Sequence, residues 1–539
     1  MSLRDLLVQR EVTRALIVDD ALDTVPLAAD LDNYADEWST FAADLNDHQR
    51  ELINRAWPDG KGFRFTEKIV QNEYVAAIWR LRDELGEVAK ALFARYVANH
   101  ANDLAHVDVA HRRLKEFGLK CTLRGRSFST EAQATDLIVI DLYLGGAQNQ
   151  QAFNLSKELL REAVAKRAAN PPLVLLISRS SYLEANRDEF RDSVGLTDSG
   201  FRILPKQDLD VPGRLERQLE RLATNAEETR KLARFFHSLE TGIAQAAART
   251  VKGMRRLKLS DIAQVQQLLL EFEGEPTGSY LVDVFDRVLQ HEIEAEKGII
   301  NSALELNGIK SINHPPPYVA GSPELQDLVQ RILSQNPERL RLKSSPEWPV
   351  SFGDILRVAA PAVDVPVDKE SERTKPFPVE VGLNEVLLVL TPACDLQRGA
   401  APRVLLLVGD VHPVDRTAWK YGSDSRTPAI MLDGQLSWIA WRMKHIDTVS
   451  WHDLRLALAH GTVRIVARLR EAPALEIQQR LLSGLGRVGL IAPLPATFPV
   501  SIEAYVPNAL THSEGAGSRL SLAKMVSAGL VQTKGLAAL

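Results

Sequence analysis

Cysteine is nearly absent from this 539-residue chain, with Cys121 and Cys394 the only two. Two thiols in separate segments exclude a disulfide framework and fit a reducing compartment. Both read as small buried apolar residues rather than nucleophiles. Long apolar runs are missing too, and none reaches the roughly 18 residues of a membrane span. There is no basic excess: 65 basic residues face 70 acidic ones, for a net charge of −5. That balance argues against nucleic acid as the main partner. Zinc-ligand spacings, a P-loop and a G-x-S-x-G elbow do not occur. The first ten residues carry Arg4 and Arg10 and lack the apolar core of a secretory signal. A cytoplasmic protein without a membrane anchor is the expectation.

What the chain does have is apolar substance, 45% of its residues, enough for three or four domains. Four apolar runs stand out in the first 210 residues. Ala15-Leu16-Ile17-Val18 is followed by Asp19-Asp20, and Leu137 to Ile140 by Asp141. Leu173 to Ile177 is followed by Ser178, and Phe201 to Pro205 by Lys206. Continuous Leu- and β-branched-rich runs read as strands buried on both faces of a parallel sheet. Chemistry in such sheets sits just past the carboxyl ends of the strands, where each of these polar residues falls.

Three clustered carboxylates, Asp19, Asp20 and Asp141, repel one another and call for a cation. All-oxygen ligands suit a hard ion, Mg²⁺ where a phosphoryl group completes the shell. One carboxylate can then attack a phosphoryl donor and become an acyl phosphate. A hydroxyl and an ammonium, Ser178 and Lys206, can hold the transferred oxygens.

The order and strand context of these sites resemble the receiver domain of bacterial two-component response regulators. The resemblance covers residues 12–225, less a large insertion. It implies a flavodoxin-like doubly wound sheet, Asp19 and Asp20 as the Mg²⁺-binding pair, and Asp141 as phosphoacceptor and third ligand. Ser178 resembles the switch hydroxyl and Lys206 the phosphate-contacting lysine. It also implies a sensor histidine kinase as partner. Departures are visible. Leu144-Gly145-Gly146 stand where the family usually has Pro, and Pro205 precedes Lys206 while Gln207 follows it. Ile203 replaces the usual aromatic, leaving Phe201 as the nearest candidate.

The expected organisation has a receiver domain over 1–225 with a helical insertion at about 36–112. Strands one and two (Leu119 to Leu123) lie about 95 residues apart, against the dozen or more a βαβ crossover needs. Tyr74, Ile78, Leu81, Leu85, Val88, Leu92 and Tyr96 keep helical spacing, and Trp57 to Gly62 is a break. The insertion reads as decoration packed on the sheet edge, with docking of a kinase or dimerisation as the alternative.

Lys206 is expected to be solvent-accessible at its strand end, ahead of a last helix from Val211 to Thr224. A helical region spans 226–312, with three apolar faces. These are Leu232, Phe235, Phe236, Leu239 and Ile243; Ile262, Val265, Leu268 and Leu269; and Val284, Phe285, Val288, Leu289 and Ile293. They argue for a bundle within the chain or a homodimer through it. His237 reads as an ordinary packed histidine, and His291 to Glu296 as a solvated helix face. A stiff linker, Asn313 to Tyr318, opens a 313–348 segment with a short helix from Glu324 to Leu333.

From 349 to 510 the pattern turns to β. Phe352-Gly353-Asp354-Ile355-Leu356 and Leu390-Thr391-Pro392-Ala393-Cys394-Asp395-Leu396 resemble poorly characterised bacterial small-barrel modules, similar to the SH3-like barrel of MazF-type toxins. The segment Arg464 to Leu490 shares the resemblance, and 511–539 is a tail. Cys394 follows an apolar strand and is expected to be core. The barrel is expected to bind or transmit rather than catalyse.

The resulting expectation is a phosphorelay protein that takes a phosphoryl group from a histidine kinase onto Asp141. It signals to an effector protein or serves as a phosphate sink, by family analogy in anti-phage defence. Catalysis beyond turnover at Asp141 is not expected. A receiver-gated toxin-like nuclease and a pseudo-receiver scaffold are the alternatives.

Overall fold

The computed structural model describes residues 2–60, 62–145, 148–271, 274–310, 314, 322–343, 350–359, 377–414 and 426–485. Gly146, Gly486 to Leu490, the tail from Thr511 and the expected linker Asn313 to Tyr318, apart from His314, lie outside them. The chain divides into two compact units, Met1–Pro316 and Pro317–Leu539. Among the described residues no helix is long and apolar enough to cross a membrane.

The first unit is built on five parallel strands: β1 (Arg14–Val18), β2 (Lys120–Arg124), β3 (Leu137–Asp141), β4 (Leu173–Ser178) and β5 (Phe201–Pro205). Their order is β2-β1-β3-β4-β5, a doubly wound arrangement whose direction reverses beside β1. Every residue of β3 and β4 is buried, which is why both strands read as unbroken apolar runs. Helices Leu3–Gln9 and Arg214–Thr224 cover one face, with the end of Glu87–Glu116, through Leu7, Leu114, Leu215 and Leu219. Gln150–Ala165 and Arg187–Val194 cover the other, through Phe153, Leu160 and Phe190. Each such side chain contributes about 1.5–3 kcal/mol by leaving water.

The insertion builds its own core from Leu31, Trp38, Phe41, Tyr74, Ile78, Leu92, Phe93 and Tyr96. The apolar residues from Tyr74 to Tyr96 keep one helical spacing, but the chain breaks at Gly86, whose φ of 67° favours glycine. Helix Asn72–Arg80 lies before the break, and the 30-residue helix Glu87–Glu116 follows it. That long helix runs from the insertion core into the sheet core, so the insertion and the first crossover are one continuous element.

Beyond β5, the helix Ala226–Met254 packs against Thr277–Glu294 and Lys297–Leu306. The buried stripe differs from the one expected. Ala226, Thr229, Ala233, Gly242, Ala246 and Thr250 face inward, while Phe236 and Ile243 are 46% and 42% exposed. Small residues win because they allow close approach: a Cβ on Gly242 would lie 2.8 Å from Ile299 Cδ1. Leu268 and Leu269 are also exposed. His237 is exposed rather than packed. The acidic stretch is not merely solvated, because Arg249 pairs with Glu292 and Glu296.

The second unit is a six-stranded antiparallel sheet: β6 (Asp354–Val358), β7 (Glu385–Val389), β8 (Arg403–Pro413), β9 (Arg426–Leu432), β10 (Gln435–Ser450) and β11 (Val463–Arg468). Its order is β11-β6-β7-β8-β10-β9. The turn Asp433-Gly434, with both φ angles positive, closes the β9–β10 hairpin in two residues. The sheet curls, and Asp433 pairs with Arg357 of β6 and Arg464 of β11, tying its two edges. Helices Trp451–Ala459 and Glu471–Leu485 cover opposite faces.

Candidate functional site

Strand register explains how distant residues meet. Val18 stands opposite Ile140, so Asp19 and Asp141 leave adjoining strands side by side. Asp141 is level with Ile177 on β4, and Ser178 is level with Pro205 on β5. Lys206, the next residue, reaches back across β4 to the acidic pair. Its ammonium donates to Asp141 Oδ2 at 2.5 Å and to Asp19 Oδ2 at 2.7 Å. Ser156 Oγ donates to the Asp141 carbonyl at 2.8 Å and fixes the end of β3.

Oxygens of Asp19, Asp20 and Asp141 all lie within 4.8 Å of one another, which fits a small hard cation. Ser178, 1% exposed, lines the same pocket, its Oγ accepting from the Ser180 N–H at 3.1 Å. The structure therefore brings together all five residues singled out in the sequence.

Lys206 is 1% exposed, not solvent-accessible as expected. Burial works against its charge, but Asp141, Asp19 and Asp103 outweigh it and hold the ammonium well above the ordinary lysine range. Asp103 was not legible in advance. It comes from the long inserted helix, accepts from Lys206 at 3.1 Å and from Arg179 Nη2 at 2.9 Å. Its helical neighbours at three-residue spacing, His100 and His106, gave the only hint, a polar stripe on a helix that looks solvated. Tyr34, Tyr96, Asn99 and His100 form the rest of this wall, so the insertion roofs the pocket instead of merely decorating the sheet edge.

A second cation, Arg126, follows β2. It pairs with Asp30, with Asp23 at 3.0 Å and with Asp20 at 3.4 Å, and donates from Nε to the Leu144 carbonyl at 3.0 Å. Arg126 thus anchors Asp20, while Lys206 holds the other two carboxylates of the trio.

Burial raises the Asp141 carboxyl to about 6, partly opposed by Lys206 and reinforced by Asp19. Burial and Asp19 also push Asp20 well above the usual carboxylate range. A raised folded-state pKa favours the protonated form. Asp141's contribution to stability is therefore complete below about 4 and lost as pH rises through about 6. A bound cation competes with those protons. Affinity for Mn²⁺ or Mg²⁺ is expected to rise about tenfold or more between pH 5 and 7. Calorimetric titration at the two pH values checks this, and equal affinities would count against carboxylate ligation.

In the second unit, Cys394 is exposed, not core. The strand before it stops at Val389, and Pro392 starts a short helix, Ala393–Gln397, that lifts the thiol to the surface. Cys394 Sγ contacts Asp395 Oδ1 at 3.7 Å, and no histidine hydrogen-bonds to it among the described residues. Asp354 of the Gly-Asp-Ile motif is fully buried and pairs in two-pronged fashion with Arg468, one contact at 3.0 Å, while accepting from the Ser351 N–H at 2.7 Å. It is a structural ion pair.

No family model, curated protein or solved structure matches this chain.

Proposed function

We propose that the first unit accepts a phosphoryl group on Asp141, as a receiver domain does, and that it serves a phosphorelay fed by a histidine kinase. The observation that carries the reading is the convergence of Asp19, Asp20, Asp141, Ser178 and Lys206 at four adjoining strand ends. An Asp141 oxygen attacks the donor's phosphorus, an O–P bond forms, and the bond to the leaving group breaks with its electron pair. The product is an acyl phosphate. Asp19, Asp20 and Asp141 would hold Mg²⁺, which when bound neutralises part of the phosphoryl charge. Lys206 supplies a fixed positive charge beside the attacked phosphorus, and Ser178 a hydroxyl donor from the next strand.

Output through protein contacts fits an acidic chain better than nucleic-acid binding. An effector enzyme in the second unit has little support, since the exposed Cys394 has a carboxylate beside it and, among the described residues, no histidine hydrogen-bonded to it.

The test is intact mass after incubation with acetyl phosphate and Mg²⁺. One phosphoryl group should add to the wild type, none after EDTA, and none to Asp141→Asn. Uptake by the Asn variant would assign the chemistry to another residue, and no uptake from either small donors or a cognate kinase would sink the reading.

A further inference from the structure

We infer that Asp103, on the inserted helix Glu87–Glu116, is a positioning residue of this site: it holds Lys206 while Asp141 is free, and gives Lys206 up when Asp141 carries a phosphoryl group. The second half rests on the phosphoacceptor reading, whereas the first stands on the contacts alone.

An ammonium has three N–H donors. Those of Lys206 are all committed, to Asp141 at 2.5 Å, Asp19 at 2.7 Å and Asp103 at 3.1 Å. A phosphoryl group on Asp141 brings three acceptor oxygens. The N–H now on Asp141 can pass to one of them, and a second contact forms only if Asp19 or Asp103 gives up its own. Asp19 is poorly placed to go. It is fully buried, and its other oxygen accepts from the Ala21 N–H at 3.0 Å, capping the turn after β1. Asp103 has the longest contact and a side chain 16% exposed, so water can replace what it loses.

Charge points the same way. Phosphorylation replaces a singly charged carboxylate by a group carrying about two negative charges. That group and the Asp103 carboxylate would repel each other across one shared cation. Asp103 keeps Arg179 at 2.9 Å, so the residue is not stranded when Lys206 turns away. One helical turn earlier, the His100 Nε2 atom is buried without a hydrogen-bond partner. The Asp103 contacts with Lys206 and Arg179 thus tie the insertion to the ends of β4 and β5, and the phosphoryl group loosens that tie.

The experiment follows hydrogen exchange over residues 96–110 of the full chain, for wild type, Asp103→Ala and Asp103→Glu. Each is measured alone and with Mg²⁺ plus beryllofluoride, a phosphoryl mimic, with uptake read by native mass. Alanine is the better helix former, so a role limited to holding the helix itself would leave protection unchanged or higher. The expected result is that wild type exchanges about tenfold faster once the mimic binds. Asp103→Ala should exchange at that faster rate without mimic and respond little to it, and Asp103→Glu should restore the difference. Full protection in Asp103→Ala would overturn the inference, as would bound mimic with no change in the wild type. Absence of bound mimic in the wild type would remove the acceptor reading and the release with it, while the comparison of unliganded wild type with Asp103→Ala still decides whether the Asp103 contacts with Lys206 and Arg179 tie down the helix.

Discussion

Replacing Lys206 by alanine is expected to destabilise the first unit by about 3–5 kcal/mol at neutral pH in EDTA, the cost of leaving a buried charge cluster uncompensated. The side chain is fully buried, and its loss strands Asp19 and Asp141 around an empty space, while Asp103 keeps only Arg179. Two conditions should reduce the loss. At pH 5 Asp141 is closer to protonation, because burial already raises its carboxyl to about 6 and Lys206 no longer opposes it. The difference between variant and wild type should therefore shrink as pH falls. Millimolar Mg²⁺ or Mn²⁺ should also restore stability, by supplying the missing positive charge. Thermal unfolding at pH 5 and pH 7, with and without cation, reads all of this. A melting temperature equal to wild type at pH 7 in EDTA would show that Lys206 is not the counter-ion of the cluster.

The second large effect is expected in the curled sheet. Arg468→Ala leaves Asp354 buried without its guanidinium, at a cost of about 3–5 kcal/mol. Burial already pushes the Asp354 carboxyl above its ordinary range despite Arg468. A double variant, Asp354→Leu with Arg468→Met, should recover most of the loss, since a well-packed apolar pair carries no desolvation penalty. Thermal unfolding gives the magnitude, and hydrogen exchange over β6 and β11 assigns it to this sheet. A mild Arg468→Ala phenotype combined with loss of a cellular activity would instead give Asp354 a functional role.

How much of this was readable from residues alone depends on where each side chain's partners lie in sequence. The strands β1, β3 and β4 were legible because both their faces are buried, and burial on both faces leaves only apolar residues to read. Asp19, Asp20, Asp141 and Ser178 were legible with them, as the first polar residues after each run. Asp103 and Arg126 were not. Each belongs to a segment whose own pattern is that of a solvated surface, and each acquires its role only through carboxylates and cations that the fold delivers from elsewhere. The burial of Lys206 was missed for the same reason, since a lysine is buried only when several distant acids surround it. Cys394 failed differently: an apolar strand predicts a core only up to its last residue, and Pro392 redirects the chain three residues later. In the helical region, large apolar residues drew attention away from the Ala, Gly and Thr stripe that packs.

The insertion also bears on how the sheet assembles. Strand β1 ends at Val18 and its edge neighbour β2 begins at Lys120, so that pairing must close a loop of about 100 residues. Relative to a dozen-residue crossover that is about three doublings of length, or ~1.8 kcal/mol of extra closure entropy. The cost falls if the intervening segment condenses first. Its Trp38, Tyr74 and Phe93 cluster is made entirely from residues inside the loop, and the helix leaving that cluster delivers the chain directly to the start of β2. A pre-formed insertion thus acts as a splint, turning a long, floppy connection into a short one before the first two strands of the sheet have to find each other.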